Sequence, residues 1–164
     1  MLARSKINKA IAWLLLLSLG TPTPVFALPP EIGEFTLDQL FASGGGGCGM
    51  TLWKPNLTPR NSDRRNYIFF NGLNQDNNSK RPMLMMLDGQ IAKFRRIKAR
   101  GSDFYGQKTF QTFQSLDGKI IVEVEVTLGK LGEIESVAID KGVIRVKKIG
   151  EPAIVIPVVG DAGC

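Results

Sequence analysis

The densest group of charged side chains lies between residues 93 and 100, where five of eight residues are basic. Alternation along a strand would place the last three basic residues on the side of Phe94 and the first two on the side of Ile97. Either side could bind anions, whereas a charged edge strand that prevents aggregation would explain the same pattern. The five basic residues are Lys93, Arg95, Arg96, Lys98 and Arg100.

Three aromatic residues follow this basic segment closely. The stretch Gly101-Ser102-Asp103-Phe104-Tyr105-Gly106 holds two of them between glycines, and such a loop either packs inward or carries recognition. The third is Phe110. If Asp117-Gly118 forms a two-residue turn, Phe110 faces Glu125 on the polar side of a hairpin, where an exposed ring would be a binding anchor. A bulge or a covering element would remove that exposure.

Acidic side chains occur in two pairs with alternate spacing, Glu123 with Glu125 and Glu133 with Glu135. On a strand such pairs lie about 6.6–6.8 Å apart, within the range of glycosidase carboxylates. A carboxylate-dependent hydrolase is therefore one alternative function. The acids alternate with core residues, however, and this pattern is typical of a solvated strand face.

The chain contains no histidine. No catalytic triad, Cys-His pair, histidine-ligated metal or imidazole acid-base step can therefore be built from it. We expect no catalytic residue, no metal site and no cofactor, and we predict that the protein is not an enzyme.

Residues 1–27 have the pattern of a secretory signal peptide. A basic start (Arg4, Lys6, Lys9) precedes an apolar run at residues 10–19, and small side chains stand near Ala27. The run is about half of the roughly 20 residues that span a bilayer. We expect cleavage near Ala27, a secreted or periplasmic protein, and no transmembrane segment in the mature chain.

The mature chain is less basic than the full sequence, because loss of three basic residues lowers the formal net charge from +6 to +3. The remaining charge is uneven, since residues 54–108 carry twelve basic and four acidic side chains. Export makes nucleic acid an unexpected partner. The basic middle instead predicts an anionic envelope polymer, lipid head groups or an acidic protein as the partner.

Cys48 and Cys164 are the two cysteines, and an even count in an exported protein predicts a disulfide. Their separation of 116 residues makes such a bond worth about 4–5 kcal/mol in the chain-entropy model. An intermolecular bridge and a reactive Cys48 remain alternatives.

Thr36-Leu37-Asp38-Gln39 has the spacing of a capping box and predicts a short helix over about 36–42, which Gly44 to Gly47 must end. From Met50 onward the pattern is β. Residues 119–128 alternate, with Ile120, Val122 and Val124 on one face. Further strands are predicted at 50–54, 67–71, 82–87, 90–98, 108–115, 133–139, 143–149 and 153–158.

Short turn signals separate several of these strands and require antiparallel neighbours. Asp88-Gly89 and Asp117-Gly118 fit two-residue turns, and Asp140-Lys141-Gly142 fits a three-residue loop. The predicted fold is an all-β antiparallel meander that forms a small barrel or sandwich, preceded by one short N-terminal helix and closed by the disulfide.

The loop Gly101-Ser102-Asp103-Phe104-Tyr105 resembles, over five positions, the Ser-Gly-Ala-Arg-Tyr loop of the secreted inhibitors of c-type lysozymes. It shares the small residues and the tyrosine and differs at Asp103 and Phe104. The resemblance implies an inhibitor as an alternative function. An inhibitor of a basic enzyme should present an acidic face, whereas this region is basic, and we do not assign the chain to that family.

These patterns predict a signal peptide (1–27), a short helix with a glycine-rich lead-in (28–47) and a single β domain (48–164). We expect a non-catalytic binding module of the bacterial envelope or periplasm that recognises an anionic polymer or protein. A purely structural domain is the remaining possibility. The predicted binding surface comprises Lys93, Arg95, Arg96, Lys98, Arg100, Phe104, Tyr105 and Phe110.

Overall fold

A computed structural model describes residues 28–57, 67–73, 82–132 and 135–164. The predicted signal peptide at 1–27 lies outside the described residues, as does Glu133 of the second acidic pair. The elements are α1 (Leu37–Ala42), β1 (Gly49–Trp53), β2 (Phe69–Gly72), β3 (Met83–Leu87), β4 (Gln90–Phe104), β5 (Gln107–Ser115), β6 (Ile120–Leu131), β7 (Ser136–Lys148) and β8 (Ile154–Gly163).

The eight strands form a closed antiparallel barrel in chain order, in which β1 pairs with β8. The predicted all-β meander with one short helix is therefore confirmed, and a barrel rather than a sandwich is the form it takes. Closure pairs the first strand with the last, so neither is left as a sheet edge.

Alternation along β6 shows how the sequence fills the barrel. Val122, Val124 and Val126 are buried in the interior, while Glu123 and Glu125 point outward. Full burial of each aliphatic side chain contributes about 1.5–3 kcal/mol. The other strands supply further interior residues, including Met50, Phe69, Met85, Phe94, Phe113 and Ile144.

A second apolar cluster lies on the outside of β1 to β3. Every residue of β3 is buried, so this strand needs a cover on its outer face as well as on its inner face. The N-terminal segment and α1 provide it, with Phe35 and Leu40 packed among Trp53, Phe70 and Met86. The helix begins at the predicted capping box, in which Thr36 and Gln39 bond to each other's backbone N–H.

Cys48 and Cys164 are joined by the predicted disulfide. Each cysteine directly adjoins the paired residues Gly49 and Gly163, so the bond lies at the end of the β1–β8 seam. The disulfide therefore links the two strands whose pairing closes the barrel.

Of the three predicted turns, the one at Asp88-Gly89 is confirmed, the one at Asp117-Gly118 lies in a longer connection over residues 116–119, and the one at residues 140–142 is wrong. Asp88 and Gly89 have φ values of 49° and 74°, as a two-residue hairpin turn requires. The predicted loop at residues 140–142 is instead a β-bulge inside β7, between Ile139 and Gly142. The strands predicted at 133–139 and 143–149 therefore belong, from Ser136 onward, to one strand.

Candidate functional site

A β-bulge in β4 divides the basic cluster between two faces. The bulge lies between Arg96 and Lys98, so the pairing partners are Phe113 for Arg96 and Thr112 for Lys98. Phe113 is an interior residue, and direct cross-strand partners share a face. Arg96 therefore lies on the inner side of the hairpin, where it donates to the Gln111 side chain at 2.9 Å. The predicted grouping of Arg96 with Lys98 and Arg100 is therefore wrong, because the extra residue in the bulge reverses the alternation.

Lys98 and Arg100 lie on the outer face of β4, where cross-strand pairing places them beside side chains of β5 and β6. Arg100 pairs with Phe110, which in turn pairs with Glu125. The predicted register of Phe110 against Glu125 is therefore confirmed. Phe110 is half-buried, and its ring lies under the Arg100 guanidinium at 4.2 Å.

A groove of about 200 Å³ crosses this outer face. We call it the β4–β7 groove. Its cations Lys98 and Arg100 come from β4, and its carboxylates Glu123 and Glu125 come from β6. Between these walls lie Phe110 and Thr112 of β5, and Arg145 of β7 closes the far side.

The groove carboxylates are engaged by basic residues of β7. Glu123 bonds to Lys147 at 3.0 Å, and Glu125 pairs with Arg145 at 3.6 Å. By contrast, no acidic side chain of the described residues lies within ion-pair distance of Lys98 or Arg100. The β4 side of the groove is thus the side available to an anion.

The remaining residues of the predicted binding surface lie outside the groove. Arg95 is on the same outer face and donates to the Gln114 side chain at 3.1 Å. Lys93 pairs with Leu84 of β3, near the second apolar cluster. Tyr105 is half-buried, packs against the barrel core and has a φ of 42°.

Phe104 is only 7% exposed and belongs to the interior core. The predicted loop at residues 101–106 is wrong in its bounds, because residues 101–104 belong to β4 and the turn comprises Tyr105 and Gly106. Of the two alternatives for its aromatic residues, inward packing describes Phe104. Its ring cannot contribute to a recognition surface in this conformation.

A buried polar cluster connects the β4–β5 hairpin to β2. Asn71 of β2 donates to the Gln107 side chain at 2.6 Å, and Gln107 donates back to the Asn71 carbonyl at 3.1 Å. Gln111 donates to Gln107 at 3.2 Å and accepts from Arg96 at 2.9 Å. These bonds tie the hairpin to the end of β2.

Sequence reasoning did not identify this cluster or the contribution of Thr112 and Arg145 to the groove. The hairpin register could have indicated the cluster, since Gln107 and Gln111 have the same parity as the interior residue Phe113. Arg145 of β7 could have been found only from its pairing with Glu123 of β6. No turn signal in the sequence fixes the register of these two strands.

The described residues hold no group of three or more cysteine, aspartate or glutamate side chains that could bind a metal ion. They also include no helix with the length and apolarity needed to span a membrane. Comparisons with protein-family models, with curated proteins and with solved structures find no match.

Proposed function

We propose that the protein is an exported, non-catalytic binding module that recognises an anionic polymer or protein of the bacterial envelope. The observation that carries this proposal is the position of Lys98 and Arg100. Residues two apart on a strand lie about 6.6–6.8 Å from each other on one face. These two cations therefore form an adjacent pair on the outer face, without an acidic partner among the described residues.

Export is supported by two independent features. The first is the basic, apolar and small-residue order of residues 1–27. The second is the Cys48–Cys164 disulfide, because such bonds persist mainly in oxidising compartments.

A binding role is better supported than hydrolysis. A glycosidase needs one of its two carboxyl groups to act as an acid within a desolvated pocket. Glu123 and Glu125 are instead solvent-accessible, with side-chain exposures of 38% and 48%, and both pair with basic residues. This arrangement favours the solvated strand face over the catalytic pair.

The inhibitor alternative receives less support from the hairpin tip. In the segment that resembles the lysozyme inhibitors, residues 101–103 are exposed, but Phe104 lies in the core and Tyr105 packs against it. A projecting inhibitory loop would need these two aromatic residues at the surface.

Retention of the full chain on immobilised heparin tests the proposal. We expect the Lys98→Ser/Arg100→Ser double variant to elute at lower salt than wild type, because the sulfate and carboxylate groups of heparin lose two cationic partners on the protein. The matched control is Lys119→Ser/Lys130→Ser, which removes two exposed lysines outside the groove. Equal loss in both variants, or unchanged retention of the first, would contradict a specific surface.

A further inference from the structure

The size of the β4–β7 groove limits what it can hold. Its volume of about 200 Å³ is below the roughly 300–1,000 Å³ of pockets that enclose a whole small ligand. The groove is also open to solvent along the outer face of the sheet. It is therefore suited to one unit of a longer ligand rather than to an entire free metabolite.

The two walls of the groove offer different chemistry. Lys98 and Arg100 supply hydrogen-bond donors and positive charge from β4. On the opposite wall the Glu123 and Glu125 carboxylates can only accept hydrogen bonds when ionised. In each carboxylate one oxygen, Oε2, pairs with a β7 base, and the described residues provide no hydrogen bond to the other oxygen.

A ligand that satisfies both walls must combine an anionic group on one side with hydrogen-bond donors on the other. Acidic sugars have this combination, because each unit carries a carboxylate or sulfate beside several hydroxyl groups. Polyglutamate and other acidic peptides have no hydroxyl groups, and their carboxylate side chains cannot donate to Glu123 or Glu125. A ligand carboxylate placed beside Glu123 or Glu125 would be repelled by that residue.

We propose that the β4–β7 groove binds one residue of an acidic polysaccharide. Its carboxylate or sulfate lies at Lys98 and Arg100, and its hydroxyl groups donate to Glu123 and Glu125 on the opposite wall. This inference rests on the proposed function and adds the class of ligand.

Phe110 has a separate role in this site. Arg100 lies over the Phe110 ring at 4.2 Å, so that face of the ring is covered by the guanidinium rather than open to a sugar. The contact holds a long flexible side chain in place before the ligand arrives. Phe110 is thus a positioning residue for Arg100.

Binding of the full chain to two polymers of matched length and charge tests the ligand class. The probes are polygalacturonate, which has carboxylates and hydroxyls, and polyglutamate, which has carboxylates and backbone amides but no hydroxyls. We expect wild type to bind polygalacturonate more tightly at the same ionic strength. Dextran sulfate is a third probe and distinguishes a sulfate from a carboxylate as the preferred anionic group.

In the Glu125→Met variant, the direction of the change in affinity distinguishes hydrogen bonding to Glu125 from electrostatic attraction alone. Loss of the carboxylate frees Arg145 and makes the groove more positive, so electrostatics alone would tighten binding of every polyanion. If a ligand hydroxyl donates to Glu125, loss of that hydrogen bond instead weakens polygalacturonate binding by about tenfold. Glu135→Met, an exposed position outside the groove, removes the same charge and is the control.

The outcomes separate the two proposals. Weaker polygalacturonate binding by Glu125→Met, with wild-type affinity in Glu135→Met, supports the saccharide site. Tighter binding of both polymers by Glu125→Met, or a wild-type preference for polyglutamate, would overturn it and favour an acidic protein as partner. If wild type binds none of the three polymers, the proposed function itself fails.

Discussion

The Arg100 guanidinium carbon lies 4.2 Å from the centre of the Phe110 ring on the outer face of the β4–β5 hairpin. The two residues are direct cross-strand partners, and Phe110 is in turn the partner of Glu125. This register places all three side chains on the same face, with the ring between the cation and the carboxylate. Arg100, Phe110 and Glu125 thus form a row across β4, β5 and β6.

We expect Phe110→Leu to weaken binding of a polyanion by about two- to fivefold, because an exposed cation–π contact is worth about 0.5–1 kcal/mol. Phe110→Tyr retains the ring and should bind as wild type. Isothermal titration calorimetry with heparin measures both. Full affinity in the leucine variant would show that the ring does not position Arg100.

The disulfide should make a large contribution to stability. A bond that closes a loop of this length contributes about 4–5 kcal/mol in the chain-entropy model, and Cys48 and Cys164 join the ends of the seam strands. We expect Cys48→Ser, Cys164→Ser and the double variant to lose the same free energy of unfolding in urea, since each removes the same bond. A double variant as stable as wild type would contradict this account.

The buried polar cluster should hold the hairpin tip against β2. In Gln107→Met the Gln111 amide and the Asn71 carbonyl lose their partner, and each buried unsatisfied group costs about 1–3 kcal/mol. Urea unfolding should show this loss, and amide hydrogen exchange should quicken at residues 104–106. Gln90→Met changes an exposed glutamine and should leave both measurements unchanged. Amide exchange at residues 104–106 that stays as slow in Gln107→Met as in wild type would contradict this role of the buried polar cluster.

Acid should weaken the β5–β6 turn through Asp117. The Ser115 hydroxyl donates to this carboxylate at 2.6 Å and the Lys119 backbone N–H donates at 3.1 Å, and they lower the Asp117 pKa below its ordinary value of 3.8. The folded state binds this proton more weakly than the unfolded state. The stabilisation is therefore complete above pH 3.8 and is lost as the pH falls through the folded-state pKa.

The free energy of unfolding measured between pH 6 and pH 2 tests this dependence. We expect Asp117→Asn to have a shallower acid limb than wild type, and Ser115→Ala to have a higher Asp117 pKa by NMR titration. Glu135→Gln, at an exposed position, serves as the charge-matched comparison. An identical acid limb in wild type and Asp117→Asn would refute the assignment.

Much of the barrel could be predicted from local sequence because its strands alternate clearly and several turns are short. Residues 120–128 specify their own buried face, and the Asp117-Gly118 signal gave the pairing of Phe113 with Val122. The observed connection spans residues 116–119, yet the register is the predicted one.

The errors arise where a strand contains a bulge. One extra residue reverses the alternation, and neither Arg96–Lys98 nor Ile139–Gly142 carries a sequence signal that distinguishes a bulge from a turn or a regular strand. The groove depends on the first of these bulges. Its composition could therefore not be read from the spacing of the basic residues alone.

Mapping of the ligand contact by NMR tests the central claim most directly. On titration of the ¹⁵N-labelled full chain with short heparin fragments, we expect the largest amide shifts at residues 98–100, 110–112 and 123–125, with little change in α1 or β1. Shifts confined to residues 101–106 would point to the hairpin tip instead. Shifts centred on the second apolar cluster, or no saturable shifts, would contradict binding through the β4–β7 groove.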